Sequence, residues 1–203
     1  KVIKDLNYAI MTLHELFKKL ARVFDGNLQI EKVAKKELTS RGFEYNFKAG
    51  HSYLPKPIQE CMEKADAHII CKDILKLPFN WAPPQSSKDP IYRKHSTFKS
   101  HVELLGPNGL IKSEVVRLGF YGMLPNSEYG TRTHPAEELY IMLAGDCLWK
   151  VGDTHYKKRS ISDRSYHPAY IPHASKTQDN AFMAVYVWYG NLSTEKYFYE
   201  GIS

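Results

Sequence analysis

Two imidazoles and one carboxylate in this chain have the types and spacing of a metal-binding set. His134 and Glu138 lie four positions apart in the string His-Pro-Ala-Glu-Glu-Leu-Tyr at 134–140, and His173 ends the string Pro-Ala-Tyr-Ile-Pro-His at 168–173. Two imidazole nitrogens and one carboxylate oxygen form the ligand set of many divalent transition-metal sites. The sequence therefore predicts a metal site that takes part in a reaction and not a purely structural metal site.

Length and composition limit the kinds of protein that this can be. A chain of 203 residues, 43% of them hydrophobic, is long enough to bury one sizeable core. No run of eighteen apolar residues is present to cross a membrane. The net charge is +6, but basic and acidic residues are interspersed, so we expect no nucleic-acid partner. The positive excess can instead draw in an anionic substrate.

Cysteine usage indicates a reducing compartment. Cys61, Cys71 and Cys147 form no Cys-x-x-Cys pair and their number is odd, so we expect no disulfide framework and a cytoplasmic location. The chain begins at Lys1 and not at Met, so we expect that its N-terminus has been trimmed.

The N-terminal part, residues 1–76, has the apolar periodicity of helices. One stripe with spacings of three and four consists of Leu6, Ile10, Leu13, Phe17, Leu20 and Phe24. A second helix, predicted from about residue 57 to residue 75, has one face made of Ile58, Cys61, Met62, Ala65 and Ile69. We expect both faces to pack on the rest of the fold or on a second subunit, which leaves a homodimer open.

The remainder of the chain indicates a loop followed by a β domain. Residues 77–97 are predicted to connect the two parts, because the stretch 77–89 is rich in Pro and Ser. Short β-prone runs between turn signals then follow within 98–203, at 101–105, 110–121, 138–143, 147–151, 169–171 and 182–189. This pattern is typical of a sandwich or a small barrel.

Two spacings resemble the metal-binding motifs of the cupin superfamily. Gly145 follows Glu138 by seven positions, and Pro168 precedes His173 by five. The resemblance implies a mainly β fold, a cupin barrel (double-stranded β-helix or jelly roll), preceded here by a helical region. Arg132 is a departure, because the first cupin motif usually carries His-x-His and this position is two before His134.

One branch of that superfamily is similar in detail. The string Tyr129-x4-His134-Pro-Ala-Glu-Glu-Leu-Tyr140, with Gly145, Trp149, Pro172-His173 and Trp188, resembles the cupin-type dimethylsulfoniopropionate (DMSP) lyases over roughly residues 100–190. The resemblance implies a carbon–sulfur lyase of the dimethylpropiothetin dethiomethylase type. Such an enzyme splits DMSP, a small sulfonium carboxylate, into dimethyl sulfide and acrylate.

The expected cofactor is one divalent transition-metal ion, held by His134, Glu138 and His173. Zn, Fe, Mn, Ni and Co all suit such ligands, so the sequence leaves the metal open. Tyr140 lies two residues after Glu138 and so on the same strand face, where it is a candidate fourth ligand, a candidate base, or both. The resemblance also places a catalytic tyrosine at Tyr129, and the sequence does not rank the two.

A sulfonium leaving group is a permanent cation, which aromatic faces attract. The candidates for this contact are Trp188, Tyr186, Trp149, Tyr121 and Phe120, with Tyr129 as a further substrate contact. On the run 182–189, Phe182, Ala184, Tyr186 and Trp188 are predicted to share one face.

Three other side chains near the predicted ligands have open roles. His167 is a possible additional ligand, although Pro168 and Pro172 interrupt the strand that would align it with His173. Arg132 is a candidate partner for a carboxylate, either the substrate's or that of Glu137. Two other functions also stay open, a cupin dioxygenase or isomerase with the same metal set and a cupin that binds a small ligand without catalysis.

Overall fold

The structure is a computed structural model that describes residues 2–40, 53–81, 90 and 97–201. Helices come first and strands follow. The helices are α1 (Val2–Val23), α2 (Gln29–Thr39), α3 (Lys56–Glu63) and α4 (Cys71–Ile74). The strands are β1 (Lys99–Gly106), β2 (Ile111–Lys112), β3 (Val116–Met123), β4 (Glu128–Thr133), β5 (Ala136–Gly145), β6 (Cys147–Val151), β7 (Lys157–Arg159), β8 (Arg164–His167), β9 (His173–Lys176), β10 (Phe182–Gly190) and β11 (Phe198–Gly201).

The strands form two sheets that enclose a shared interior. One sheet has the order β2-β1-β3-β10-β5-β8, and the other has the order β11-β4-β9-β6-β7. Side chains from both sheets meet in one buried cluster, to which β5 contributes Tyr140 and β6 contributes Trp149. The mainly β barrel with an N-terminal helical region is therefore confirmed.

Successive side chains of the central strands alternate between the barrel interior and the outer face that the helices cover. On β5, Leu139 and Ile141 belong to the core beneath the helices, whereas Tyr140 and Met142 belong to the interior cluster. The face predicted for β10 is confirmed, because Phe182, Ala184, Tyr186 and Trp188 all lie inside. Period-two alternation thus aims a row of aromatic side chains at the interior.

The helices cover the outer face of the six-stranded sheet. Leu13, Phe17 and Leu20 of α1 are buried in the same core as Val185 and Val187 of β10. The described part of the predicted apolar stripe is therefore buried in the rest of the fold, where α1 packs against α2 and α4. The side chains of Leu6 and Ile10 are not among those that the structure describes. Among the described helices, none combines the length and the apolar character needed to cross a membrane.

Several sequence-based boundaries were wrong. The predicted helix at 57–75 is interrupted because Lys64 is extended (ψ 152°), so Ala65 and Ile69 leave the helical face and are exposed. Residues 169–171 form a turn between β8 and β9, with Tyr170 at φ 61°, and not a strand. Helix α2 and strand β4 were not predicted. Most of the predicted loop at 77–97 lies outside the described residues.

Candidate metal centre and its cavity

Three neighbouring parts of the barrel bring the predicted ligands together. Glu138 lies on β5, His134 lies in the short connection between β4 and β5, and His173 begins β9. All three side chains are buried, and one ligand atom from each lies within 4.8 Å of the others. These residues are the candidate metal ligands of the described part of the chain.

Backbone carbonyls fix which nitrogen of each imidazole faces this centre. The Nδ1–H of His134 donates to the carbonyl of Ala136 (3.1 Å), and the Nδ1–H of His173 donates to the carbonyl of Ile171 (2.9 Å). A carbonyl can only accept, so Nδ1 carries a proton in both rings, and Nε2 is the nitrogen left to serve as a ligand. Metal-binding histidines are commonly oriented by this kind of bond.

The imidazole nitrogens and the carboxylate oxygen that face one another at this centre are suitable ligands for a cation. Nε2 of His173 is 3.2 Å and Nε2 of His134 is 3.4 Å from Oε2 of Glu138. Burial, and next the charge of Arg132, lower the pKa of His173 to about 3, so its Nε2 has no proton at neutral pH. That buried nitrogen has no hydrogen-bond partner among the described residues. Lone pairs that face a carboxylate repel one another unless a cation lies between them.

Glu138 is held by two further side chains. The indole N–H of Trp188 donates to Oε1 at 2.6 Å, and Nδ1 of His167 lies 3.1 Å from Oε2. The other nitrogen of His167 is hydrogen-bonded to the hydroxyl of Ser165 (2.8 Å). His167 therefore orients the carboxylate, a role that strand spacing alone did not indicate.

The strand register explains why these groups meet. Glu138 on β5 has Trp188 of β10 as its neighbour on one side and His167 of β8 on the other. In the second sheet, Arg132 of β4 is paired with His173 of β9. Two rows of side chains, one from each sheet, thus meet inside the barrel.

A cavity of about 200 Å³ opens beside the candidate metal ligands. Of the predicted functional residues, those that line it are Tyr121, Tyr129, Arg132, Glu138, Tyr140, Tyr186 and Trp188. Trp149 is not among the lining residues and packs behind Tyr140, with ring centroids 4.4 Å apart. Phe120 lies in the core beneath the helices, where it contacts Phe79, so its predicted place in the aromatic wall was wrong.

The two candidate catalytic tyrosines have different surroundings. Burial, and next the charge of Glu138, raise the pKa of Tyr140 well above its usual range. Tyr129 lies on β4, and its hydroxyl is hydrogen-bonded to that of Tyr197. The charged groups of Lys99 and Arg132 lie 3.8 and 4.0 Å from the centroid of its ring. Tyr140 thus lies beside the metal ligands, and Tyr129 lies in the cationic part of the cavity.

Sequence reasoning missed Tyr197, Lys99 and His101. Tyr197 lies between β10 and β11, and its ring is stacked near His134 (5.9 Å between centroids). His101 is hydrogen-bonded to the hydroxyl of Tyr186 at 2.7 Å. Alternation on β1 could have grouped Lys99 with His101 on one face, but no spacing pattern links Tyr197 to the ligand motifs.

The chain is similar to a known protein family. A model of the dimethylsulfoniopropionate lyase family matches residues 57–184, more than half of the chain. The dimethylsulfoniopropionate lyase DddQ of Ruegeria pomeroyi is 33% identical over 91 residues. That stretch covers 45% of this chain and 45% of DddQ, so it spans somewhat less than half the length of the relative.

Two structural likenesses cover nearly the whole chain. A chain from the crystal structures of the DMSP lyases RdDddP and RnDddQII has a TM-score of 0.70 and 16% identity, covering 95% of this chain and 100% of that one. The crystal structure of DddQ from Ruegeria pomeroyi has a TM-score of 0.63 and 19% identity, covering 93% and 96%. At these identities the likeness shows a shared cupin fold. Because the family model matches more than half of the chain, the chain belongs to the dimethylsulfoniopropionate lyase family.

Proposed function

We propose that this protein is a metal-dependent carbon–sulfur lyase that cleaves DMSP to dimethyl sulfide and acrylate. The observation that carries the proposal is the buried set His134, Glu138 and His173 beside a cavity lined by tyrosines and Trp188, in a chain of the DMSP lyase family. A homodimer and a cytoplasmic location stay predictions.

His134, Glu138 and His173 would hold one divalent ion, with Tyr140 as the candidate fourth ligand. Such an ion supplies a Lewis acid, which withdraws charge from a substrate carboxylate and makes the neighbouring carbon more acidic. Imidazole and carboxylate ligands accept Zn, Fe, Mn, Ni and Co, so the donor set leaves the metal open.

Tyr129 and Tyr140 are the proposed catalytic residues. The tyrosine that acts as the base would do so as a phenolate, a form that a bound cation would favour. Its oxygen takes the proton from the carbon next to the substrate carboxylate, and the electron pair of that C–H bond becomes the C=C bond of acrylate. The bond between the β-carbon and sulfur breaks at the same time, and its electron pair leaves with sulfur as neutral dimethyl sulfide. The second tyrosine holds the substrate or the metal.

The sulfonium group is proposed to lie against aromatic faces. Trp188 and Tyr186 line the cavity and supply such faces, whereas Trp149 supports this wall from behind Tyr140. Tyr129 also lines the cavity, but its ring already contacts the charged groups of Lys99 and Arg132, so we expect it to contact another part of the substrate. Each cation–π contact contributes about 0.5–2 kcal/mol. This attraction is lost when sulfur becomes neutral, which favours release of the product.

Proton NMR in a sealed, oxygen-free tube tests the proposal. Purified metal-loaded protein mixed with DMSP should yield dimethyl sulfide and acrylate in equal amounts. An oxygen requirement would indicate a cupin dioxygenase instead, and binding without turnover would indicate a ligand-binding cupin. Either result would contradict the lyase assignment.

A further inference from the structure

Arg132 is a buried cation without a carboxylate partner among the described residues. The side chain is 1% exposed. Its Nη1 donates two long hydrogen bonds, to the carbonyls of Tyr129 (3.4 Å) and Gly130 (3.5 Å), and its Nη2 has no hydrogen-bond partner in the described structure. A guanidinium has five N–H donors and matches a carboxylate with two parallel bonds, so Arg132 has unused capacity for an anion.

The carboxylate of the candidate metal centre, Glu138, does not fill this capacity. Both oxygens of Glu138 already face other partners, Oε1 the indole of Trp188 and Oε2 the imidazoles of the centre. No ion pair joins Arg132 to Glu138 or to any other described carboxylate. Burying an unpaired charge is costly, so a ligand anion would offset a cost that the fold alone leaves in place.

A second arginine of the same cavity is already satisfied. Nη1 of Arg117 donates to Glu103 at 2.9 Å, and its Nε donates to the carbonyl of Leu192 at 3.1 Å. The cavity lining carries three cationic side chains, Lys99, Arg117 and Arg132, against two carboxylates, Glu103 and Glu138. The lining is therefore net positive, and the unused donor is on Arg132.

We propose that Arg132 binds the carboxylate of the substrate and selects short β-substituted carboxylic acids over neutral analogues. The proposal rests on the lyase function proposed above. It gives a role in specificity to Arg132, which stands where the first cupin motif usually has a histidine. Arg132 lines the cavity close to Tyr129 and is paired, within the same sheet, with the candidate metal ligand His173. It can thus orient a carboxylate at the same end of the cavity as the metal.

Binding of propionate and propionamide tests this without turnover. The two probes have nearly the same shape but differ in charge, and calorimetry on the metal-loaded protein measures both. The intact protein should prefer propionate, and Arg132→Gln should lose roughly 10- to 100-fold in propionate affinity with little change for propionamide. Arg132→Lys should recover part of the preference, because it restores the charge without the planar fork.

Arg117→Gln is the matched control, because it also removes one positive charge from the cavity but leaves the unpaired Nη2 donor of Arg132 in place. It should keep the preference for propionate. An equal loss in both variants, or an unchanged preference in Arg132→Gln of intact metal content and melting temperature, would overturn the proposal. If Arg132→Gln is misfolded, an unchanged preference in a folded Arg132→Lys variant overturns it equally.

Steady-state kinetics separate this proposal from the lyase function. With DMSP, Arg132→Gln should raise KM by at least about tenfold, and Arg132→Lys should raise it by less. Dimethyl sulfide release by the intact protein with unaltered KM in Arg132→Gln would refute the role of Arg132 and leave the lyase standing. An Arg132-dependent preference for propionate in a protein that does not cleave DMSP would refute the lyase and leave the carboxylate site standing.

Discussion

Trp188 donates its indole N–H to Oε1 of Glu138 over 2.6 Å, and the same indole is stacked on His134 with ring centroids 4.0 Å apart. One side chain thus touches two of the three candidate metal ligands. The sequence placed Trp188 in the substrate wall, and the structure adds a contact that fixes the orientation of the ligand carboxylate. Groups that orient ligands contribute to metal affinity without touching the ion.

We therefore expect Trp188→Phe to weaken metal binding roughly 10- to 100-fold, because phenylalanine keeps the ring and removes the donor. Competitive titration against a metal-binding dye measures the change. Trp149→Phe is the matched control, since the indole N–H of Trp149 has no hydrogen-bond partner in the described structure. Equal metal affinity in Trp188→Phe and the intact protein would contradict this role.

The two tyrosines can be separated by variants that keep the ring. Tyr140→Phe and Tyr129→Phe remove one hydroxyl each, and general-base groups typically contribute 10²- to 10⁴-fold to rate. We expect Tyr140→Phe to lose most turnover and to change metal content as well if the phenol is a ligand. Tyr129→Phe should lose turnover at unchanged metal content. Full kcat in both variants would refute tyrosine catalysis.

Gly145 is required by the turn that ends β5. Its φ is +66°, and a Cβ there would lie 1.9 Å from the carbonyl oxygen of Ala181. We expect Gly145→Ala to lower the free energy of unfolding by roughly 2–4 kcal/mol in chemical denaturation. Gly152→Ala is the control, because it has a similar φ of +60° but meets only the flexible end of Ile171 at 3.3 Å. It should cost roughly 1 kcal/mol, and equal losses would count against the clash.

His101 should stay neutral across the physiological range. Burial, and next the charges of Lys99 and Arg117, lower its pKa to about 4 from the ordinary value of 6.5. Because folding favours the neutral form, the stability that His101 contributes is complete above pH 6.5 and is lost as the pH falls towards 4. NMR of the imidazole should show no titration between pH 8 and 5.5, whereas a midpoint near 6.5 would contradict the buried environment.

The parts of the site that follow from spacing along the chain were predictable. Residue type and separation identified His134, Glu138 and His173, and period-two alternation placed Tyr140 with Glu138 and grouped Tyr186 with Trp188. These patterns are local, so a single sequence contains them. Helix α2 was equally readable, because Ile30, Ala34 and Leu38 recur every four residues and are buried.

Contacts that depend on strand register could not be predicted. His167 reaches Glu138 because β8 is paired with β5, and Arg132 lies beside His173 because β4 is paired with β9. Nothing in the spacing of His167 indicates that pairing, whereas Arg132 stands where the first cupin motif usually has a histidine, which pointed to the metal centre but not to His173. Strand β4 itself has a weak signal, because Gly130 is disfavoured in strands and Tyr129 is the one large apolar side chain among its six residues.

Metal-dependent release of dimethyl sulfide tests the central claim most directly. Headspace gas chromatography would follow purified protein of known metal content with DMSP, beside a chelator-treated sample and His134→Ala. We predict release from the metal-loaded protein, its loss on chelation, recovery when a divalent metal is returned, and none from His134→Ala, which should also fail to hold metal. A protein that retains its metal and releases no dimethyl sulfide would contradict the proposed function.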